Sequence, residues 1–182
     1  MAKAIGMVEY VTVSLGVEAA DTMVKAADVD IIEAQVVCPG KYIAIITGEL
    51  SAVRAAIDAA NARCPQKLID SFVLGNPHES IFPAIYGANE VENPKSLGIL
   101  ETYSAASIIR AADQAAKTAD VQLIELRIAK GMCGKSYLYL TGEVAAVSAA
   151  IEKAKAGEED SAMFLDSRII ANPDKKLWKN IL

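Results

Sequence analysis

The chain has 182 residues, enough for one domain or two small ones, since domains commonly run about 100–150 residues. Apolar residues make up 53%, and Ala, Val and Ile dominate them, so a sizeable core can form from small and β-branched side chains. A net charge of −5 argues against a nucleic-acid partner, whose phosphates need clustered Lys and Arg, and 5% aromatic content argues against broad stacking surfaces for bases or sugars. The densest basic stretch, Lys175-Lys176 to Lys179, reads as a solvated tail. Met1-Ala2-Lys3-Ala4-Ile5-Gly6 lacks the apolar run of a signal peptide, and no window of 18 uncharged apolar residues predicts a membrane helix. Cys38, Cys64 and Cys133 are odd in number and widely spaced, which fits free thiols in a reducing cytosol. A soluble cytoplasmic protein with no nucleic-acid or membrane partner is expected.

In chain order, Ile5–Val13 alternates loosely and predicts a strand. Leu15, Ala19, Met23 and Ala27 recur at helical spacing and predict an amphipathic helix ending near Asp28. Ile31–Val37 is a β-rich run, broken by Pro39-Gly40, and Tyr42–Ile46 is its hairpin partner. Thr47-Gly48-Glu49 leads into a helix carrying Val53, Ala56, Ile57 and Ala60, with Glu49 near its positive end. Ser71–Leu74 is a fourth strand before Asn76-Pro77, and His78–Asn93 is a linker with a short helix around Ile81–Tyr86.

The pattern then repeats. Gly6-Met7-Val8-Glu9 recurs 92 residues on as Gly98-Ile99-Leu100-Glu101, and Ala27-Asp28-Val29 recurs at the same shift as Ala119-Asp120-Val121. Thr47-Gly48-Glu49 recurs as Thr141-Gly142-Glu143, and Asn76-Pro77 as Asn172-Pro173. The drift in spacing marks two-residue insertions at two places, which loops tolerate. The second copy has strands at Val121–Ile128, Tyr137–Leu140 and Ser167–Ile170, and a helix at Ala145–Lys155. The expected fold class is α/β (α+β), with two tandem ferredoxin-like β-α-β-β-α-β domains at residues 1–92 and 93–182.

Gly6-Met7-Val8-Glu9, Met23-Val24-Lys25-Ala26-Ala27-Asp28-Val29, Cys38-Pro39-Gly40-Lys41 and Thr47-Gly48-Glu49-Leu50-Ser51-Ala52-Val53 resemble the bacterial microcompartment (BMC) shell domain. The resemblance covers the chain twice and implies a homotrimer forming a pseudo-hexameric tile, with other shell proteins and enclosed redox enzymes as partners. The Cys-Pro-Gly-Lys turn is similar to that of trimeric shell proteins of propanediol utilisation that carry an iron–sulfur cluster at the central pore. By that resemblance Cys38 is the metal residue, once per chain, for a cluster of 4Fe-4S type, one per trimer. Pro39, Gly40, Lys41, Met132, Cys133 and Gly134 line the pore, and Lys25 and Lys117 are tile-edge lysines. Asn76-Pro77-His78 and Asn172-Pro173-Asp174 depart from the family, in which an Arg often stands beside the Pro-His.

Taken singly, Cys38 is either a cluster ligand or a small turn residue, because no Cys-x-x-Cys pair supports a self-contained site. On a threefold axis it becomes three converging thiolates, leaving one iron to an outside ligand or fitting a three-iron cluster. Cys133 is a spare ligand, a redox neighbour or a bystander. Cys64, in the polar Asn61–Lys67 loop, is expected exposed or half-buried. His78, the only histidine, forms no triad, and Glu158-Glu159-Asp160 is expected to be a solvated loop. Gly131-Met132-Cys133-Gly134-Lys135 lacks the spacing of a phosphate-binding loop. No enzyme site is expected. The leading function is a structural shell tile whose cluster carries electrons across the shell or replenishes iron–sulfur centres of enclosed enzymes. The alternatives are a metal-free metabolite pore and a ferredoxin-like small-molecule-binding protein that shares only topology.

Overall fold

The computed structural model describes residues 4–159 and 162–182. The first copy runs β1 (Ala4–Tyr10), α1 (Val13–Ala26), β2 (Val29–Val37), β3 (Lys41–Gly48), α2 (Leu50–Arg63) and β4 (Leu68–Leu74). A short α3 (Ile81–Ile85) follows, and the second copy runs β5 (Ser96–Thr102), α4 (Ala105–Thr118), β6 (Val121–Arg127), β7 (Ser136–Gly142), α5 (Val144–Glu159) and β8 (Phe164–Ile170). A last helix, α6 (Lys175–Ile181), closes the chain. The sheets have the orders β2-β3-β1-β4 and β6-β7-β5-β8, with antiparallel pairs throughout, so each copy is a ferredoxin-like α+β domain.

The two registers superpose strand for strand. Glu9 stands opposite Asp70 and Ile43, and Glu101 stands opposite Asp166 and Tyr137. Each β1/β4 and β5/β8 pair shifts register one residue later, between Glu9 and Tyr10 and between Glu101 and Thr102. Such shared irregularities are inherited features of a pairing.

β1 is buried along its whole length, as the central strand beside β3 and β4 must be. Ala19, Ala20 and Met23 of α1 and Val53, Ala56, Ile57 and Ala60 of α2 pack with Val8, Tyr10, Ala44 and Ile46 into one core. Each large side chain fully buried there contributes roughly 1.5–3 kcal/mol. The α2 residues are the helical stripe legible in the sequence. α2 lies so close to β1 that a Cβ on Gly6 would stand 2.7 Å from Val53 Cγ1 and 2.8 Å from Ile57 Cγ1. Gly98 meets Val147 and Ile151 in the same way, which explains why this glycine recurs.

The helices of each copy are pinned by an ion pair with its charges exchanged between copies. Arg63 of α2 bonds Glu18 of α1 (3.1 Å), while Arg110 of α4 makes a two-pronged contact with Glu158 of α5 (3.2 and 3.0 Å). Glu158 is thus a buried helix residue, not part of a solvated loop; Asp160 lies outside the described residues, as do Met1, Ala2 and Lys3.

One further expectation is corrected, and the solvated lysine tail proves to be a helix, capped by the Asp174 carboxylate accepting from Lys176 N–H (2.7 Å). It buries Trp178 with Leu97 and Ile124 while Lys175, Lys176 and Lys179 stay exposed. Cys64 is not in an exposed loop: it follows α2 as its C-cap and joins the first copy's core, where burial first, then Glu18, pushes its thiol pKa up.

The chain forms two compact units. The first holds the residues up to Pro77 with Ser104–Ala106 and Ala129–Gly134; the second holds His78–Tyr103, Ser107–Ile128 and Lys135–Leu182. Gly6→Ala is expected to lower unfolding stability by about 1–3 kcal/mol, because the added methyl overpacks α2 against β1. Urea unfolding read by circular dichroism checks this.

Candidate functional site

The hairpin turn between β2 and β3 is where the sequence placed its chemistry. Cys38 precedes a cis peptide bond to Pro39, and Gly40 takes φ 105°, a left-handed conformation that glycine alone adopts without cost. Gly40 N–H closes the turn on Val37 O (2.9 Å), leaving Pro39 and Gly40 exposed at the tip. Cys38 is half-buried with a free thiol.

The second copy's equivalent turn lies beside it, within the same compact unit. Cys38 N–H donates to Ala129 O (3.0 Å), and Lys41 Nζ reaches Gly134 O (3.5 Å). Ala129 (55°), Gly131 (74°), Cys133 (52°) and Gly134 (88°) all have positive φ, so this turn is held in backbone states that cost most residues energy. A side chain on Gly134 would stand 3.0 Å from Lys41 Cε and 3.1 Å from Cys38 O. Met132 is half-buried and Cys133 exposed. Val36, Val37, Cys38, Pro39, Gly40, Lys130 and Gly131 line a cleft of about 400 Å³. Lys130 Nζ pairs there with Glu33 Oε1 (2.9 Å), while Glu33 Oε2 is buried without a hydrogen-bond partner.

Behind the turns lies a group to which the sequence analysis assigned no role. Glu9 has no solvent exposure. Its Oε1 accepts from Lys41 Nζ (3.0 Å) and its Oε2 from Ala105 N–H (2.9 Å) at the start of α4. Beside it, Asp70 Oδ2 accepts from Ser104 Oγ (3.0 Å). Burial pushes the Glu9 carboxyl pKa above its ordinary value, and Lys41 and the Ala105 and Ala106 N–H groups pull it back. The one sequence signal for this role was the recurrence of Glu9 as Glu101 in a strand that is otherwise apolar. Lys41, expected to line the pore, thus spends its charge on Glu9.

The expected tile-edge lysines stand in the last turns of α1 and α4, in unequal settings. Lys25 pairs with Asp21 (2.6 Å) and its side chain is 73% exposed. Lys117 pairs with Asp113 (2.6 Å) and is 40% exposed; the other Asp113 oxygen accepts the His78 N–H (2.7 Å). His78 Nδ1 is within hydrogen-bond distance of Ser80 Oγ (2.8 Å). Among the described residues, no three or more of His, Cys, Asp and Glu in one chain gather where they could hold a metal ion. Among them, too, no helix is long and apolar enough to cross a membrane.

Fold and turns together define a tandem of ferredoxin-like domains, with the β2–β3 and β6–β7 turns in one compact unit. The BMC domain matches residues 4–77 and again 96–173, and the chain belongs to the bacterial microcompartment domain family. It is 35% identical over 182 residues, 100% of its own length and 99% of the relative's, to the bacterial microcompartment shell protein PduT of Citrobacter freundii. A crystal structure of a microcompartments protein from Desulfitobacterium hafniense DCB matches with a TM-score of 0.87 and 41% identity, over 98% of this chain and 99% of that one. The fused permuted hexameric shell protein MSM0275 from the RMM microcompartment matches with a TM-score of 0.66 and 25% identity, over 87% and 84%.

Lys41→Met is expected to cost about 3 kcal/mol at neutral pH, since it leaves Glu9 a buried, uncompensated charge. Removing Lys41 lifts the Glu9 pKa further above its unfolded value. The folded state then takes up a proton, so the deficit is largest above that raised value and shrinks as pH falls through it. Urea midpoints of parent and variant at neutral and mildly acidic pH check this.

Proposed function

We propose that this chain is a structural, non-enzymatic tile of a bacterial microcompartment shell. Three copies close a pseudo-hexagonal ring with the paired turns around its axis. The observation that carries this reading is that two complete shell domains account for essentially the whole chain, in the same order and register. Three chains then supply six equivalent positions. Other shell proteins border the tile, with Lys25 and Lys117 at its edges, and redox enzymes lie enclosed by the shell.

The same reading assigns Cys38 from three chains to an iron–sulfur cluster of 4Fe-4S type at the ring axis. The donor chemistry fits: a free, half-buried thiol on an exposed tip supplies three of the four thiolates such clusters usually take, leaving one iron to a non-protein ligand. When bound, the cluster supplies one-electron transfer across the shell. The chain's own part is to hold the thiol still, through the Cys38 N–H bond to Ala129 O and the closed Val37–Gly40 turn. Lys130 adds positive charge to the cleft beside the thiol, partly spent on Glu33.

Anaerobic purification followed by absorbance and electron paramagnetic resonance tests the assignment. A brown protein whose visible band and signal vanish in Cys38→Ala and persist in Cys133→Ala is expected. A protein that stays colourless after iron and sulfide reconstitution, yet forms sheets, would leave the tile and make the turns a metal-free metabolite pore.

A further inference from the structure

The contact of Glu9 and Asp70 with the start of α4 has an unused twin. Glu101 and Asp166 are opposed on β5 and β8 as Glu9 and Asp70 are on β1 and β4. Asp70 Oδ1 accepts Ser71 N–H (2.8 Å), leaving Oδ2 for Ser104. Asp166 Oδ1 likewise accepts Ser167 N–H (2.8 Å), and Arg168 Nη1 as well (2.6 Å). Among the described residues, neither Glu101 nor Asp166 Oδ2 has a hydrogen bond corresponding to those made by Glu9 and Asp70 Oδ2.

The complementary half is equally open. α1 corresponds to α4 at a constant shift, so Thr12 stands where Ser104 stands and Val13 where Ala105 stands. Thr12 Oγ1 is buried yet has no hydrogen-bond partner, and α1 has neither a side-chain cap nor an acidic residue in its first turn. A buried hydroxyl left unpaired loses the hydrogen bonds it made to water and gains none in return. The helix faces agree: Val13 and Val17 are 39% and 49% exposed, whereas Ala105 and Ile109 are fully buried. Asp21 is exposed on that face, where its counterpart Asp113 accepts a backbone N–H.

Donors at one end of the chain and acceptors at the other, each matching a contact already formed inside it, describe a head-to-tail interface with a second copy of the same chain. We propose that the Glu101 carboxylate of one chain accepts from the first free N–H groups of α1 in the next, while Asp166 Oδ2 accepts from its Thr12 hydroxyl. Val13 and Val17 of the next chain become buried in that contact. The inference rests on the tile reading above and names the residues that close the ring.

The test is a double-mutant cycle on the full-length protein, with Asp166→Ala, Thr12→Val and the pair. Mass photometry over a dilution series reads the trimer's dissociation, and circular dichroism checks folding. Each single substitution is expected to raise the dissociation midpoint at least tenfold, and the pair no more than either alone, because both remove one bond. Glu101→Gln is expected to weaken the trimer similarly, and Val17→Glu to give folded monomers. A trimer whose midpoint is untouched by these changes, or in which the two singles act additively, overturns the interface and leaves the tile standing. A parent protein that is monomeric at every concentration overturns both.

Discussion

A carboxylate taken fully out of water is costly unless charge and hydrogen bonds replace its hydration, and Glu9 is such a group near the end of an otherwise apolar strand. Its two oxygens are divided between the Lys41 ammonium, from the neighbouring strand, and the Ala105 amide, at the positive end of a helix in the second copy. Lys41 then reaches Gly134 O, and Cys38 N–H reaches Ala129 O. The position of the candidate ligand turn is therefore tied, through three hydrogen bonds, to one buried charge.

Duplication explains why that arrangement exists and why the copies are not identical. The backbone register is kept, down to the irregularity after Glu9 and Glu101, while side chains have adapted to different surroundings. The helix-pinning pair survives with its signs exchanged, as Glu18–Arg63 and Arg110–Glu158. Ser104 has its acceptor within the chain, and Thr12 keeps a buried hydroxyl with no hydrogen-bond partner among the described residues. Lys25 projects into solvent where Lys117 is half covered. A single chain thus carries both a finished and an unfinished version of one contact, which the proposed self-association would complete.

The fold was largely readable in the sequence because burial follows period: Val53, Ala56, Ile57 and Ala60 announce the helix face they form, and recurring landmarks announce the second copy. What escaped detection was polar or charged. Lys175, Lys176 and Lys179 masked the three-residue spacing of Trp178 and Ile181 that makes the last segment a helix. Glu158 and Cys64 sit in polar stretches of sequence yet are buried, because partners 48 residues away for the one and the α2 core for the other take them out of water. At the candidate site, Cys38 and the Gly40 turn were marked by local breakers. Glu9, Asp70, Glu33 and Lys130 depend on partners about 30 to 100 residues away, for which single-sequence spacing holds no signal.

The proposed interface uses one contact twice, once within the chain and once between chains. The most direct measurement is an experimental structure of the assembled protein, read at the first turn of α1. The Glu101 carboxylate of a neighbouring chain is expected within hydrogen-bond distance of the Val13 or Ser14 N–H, with the Thr12 hydroxyl on Asp166. An assembly in which that turn faces solvent, or is met by other residues, would contradict it.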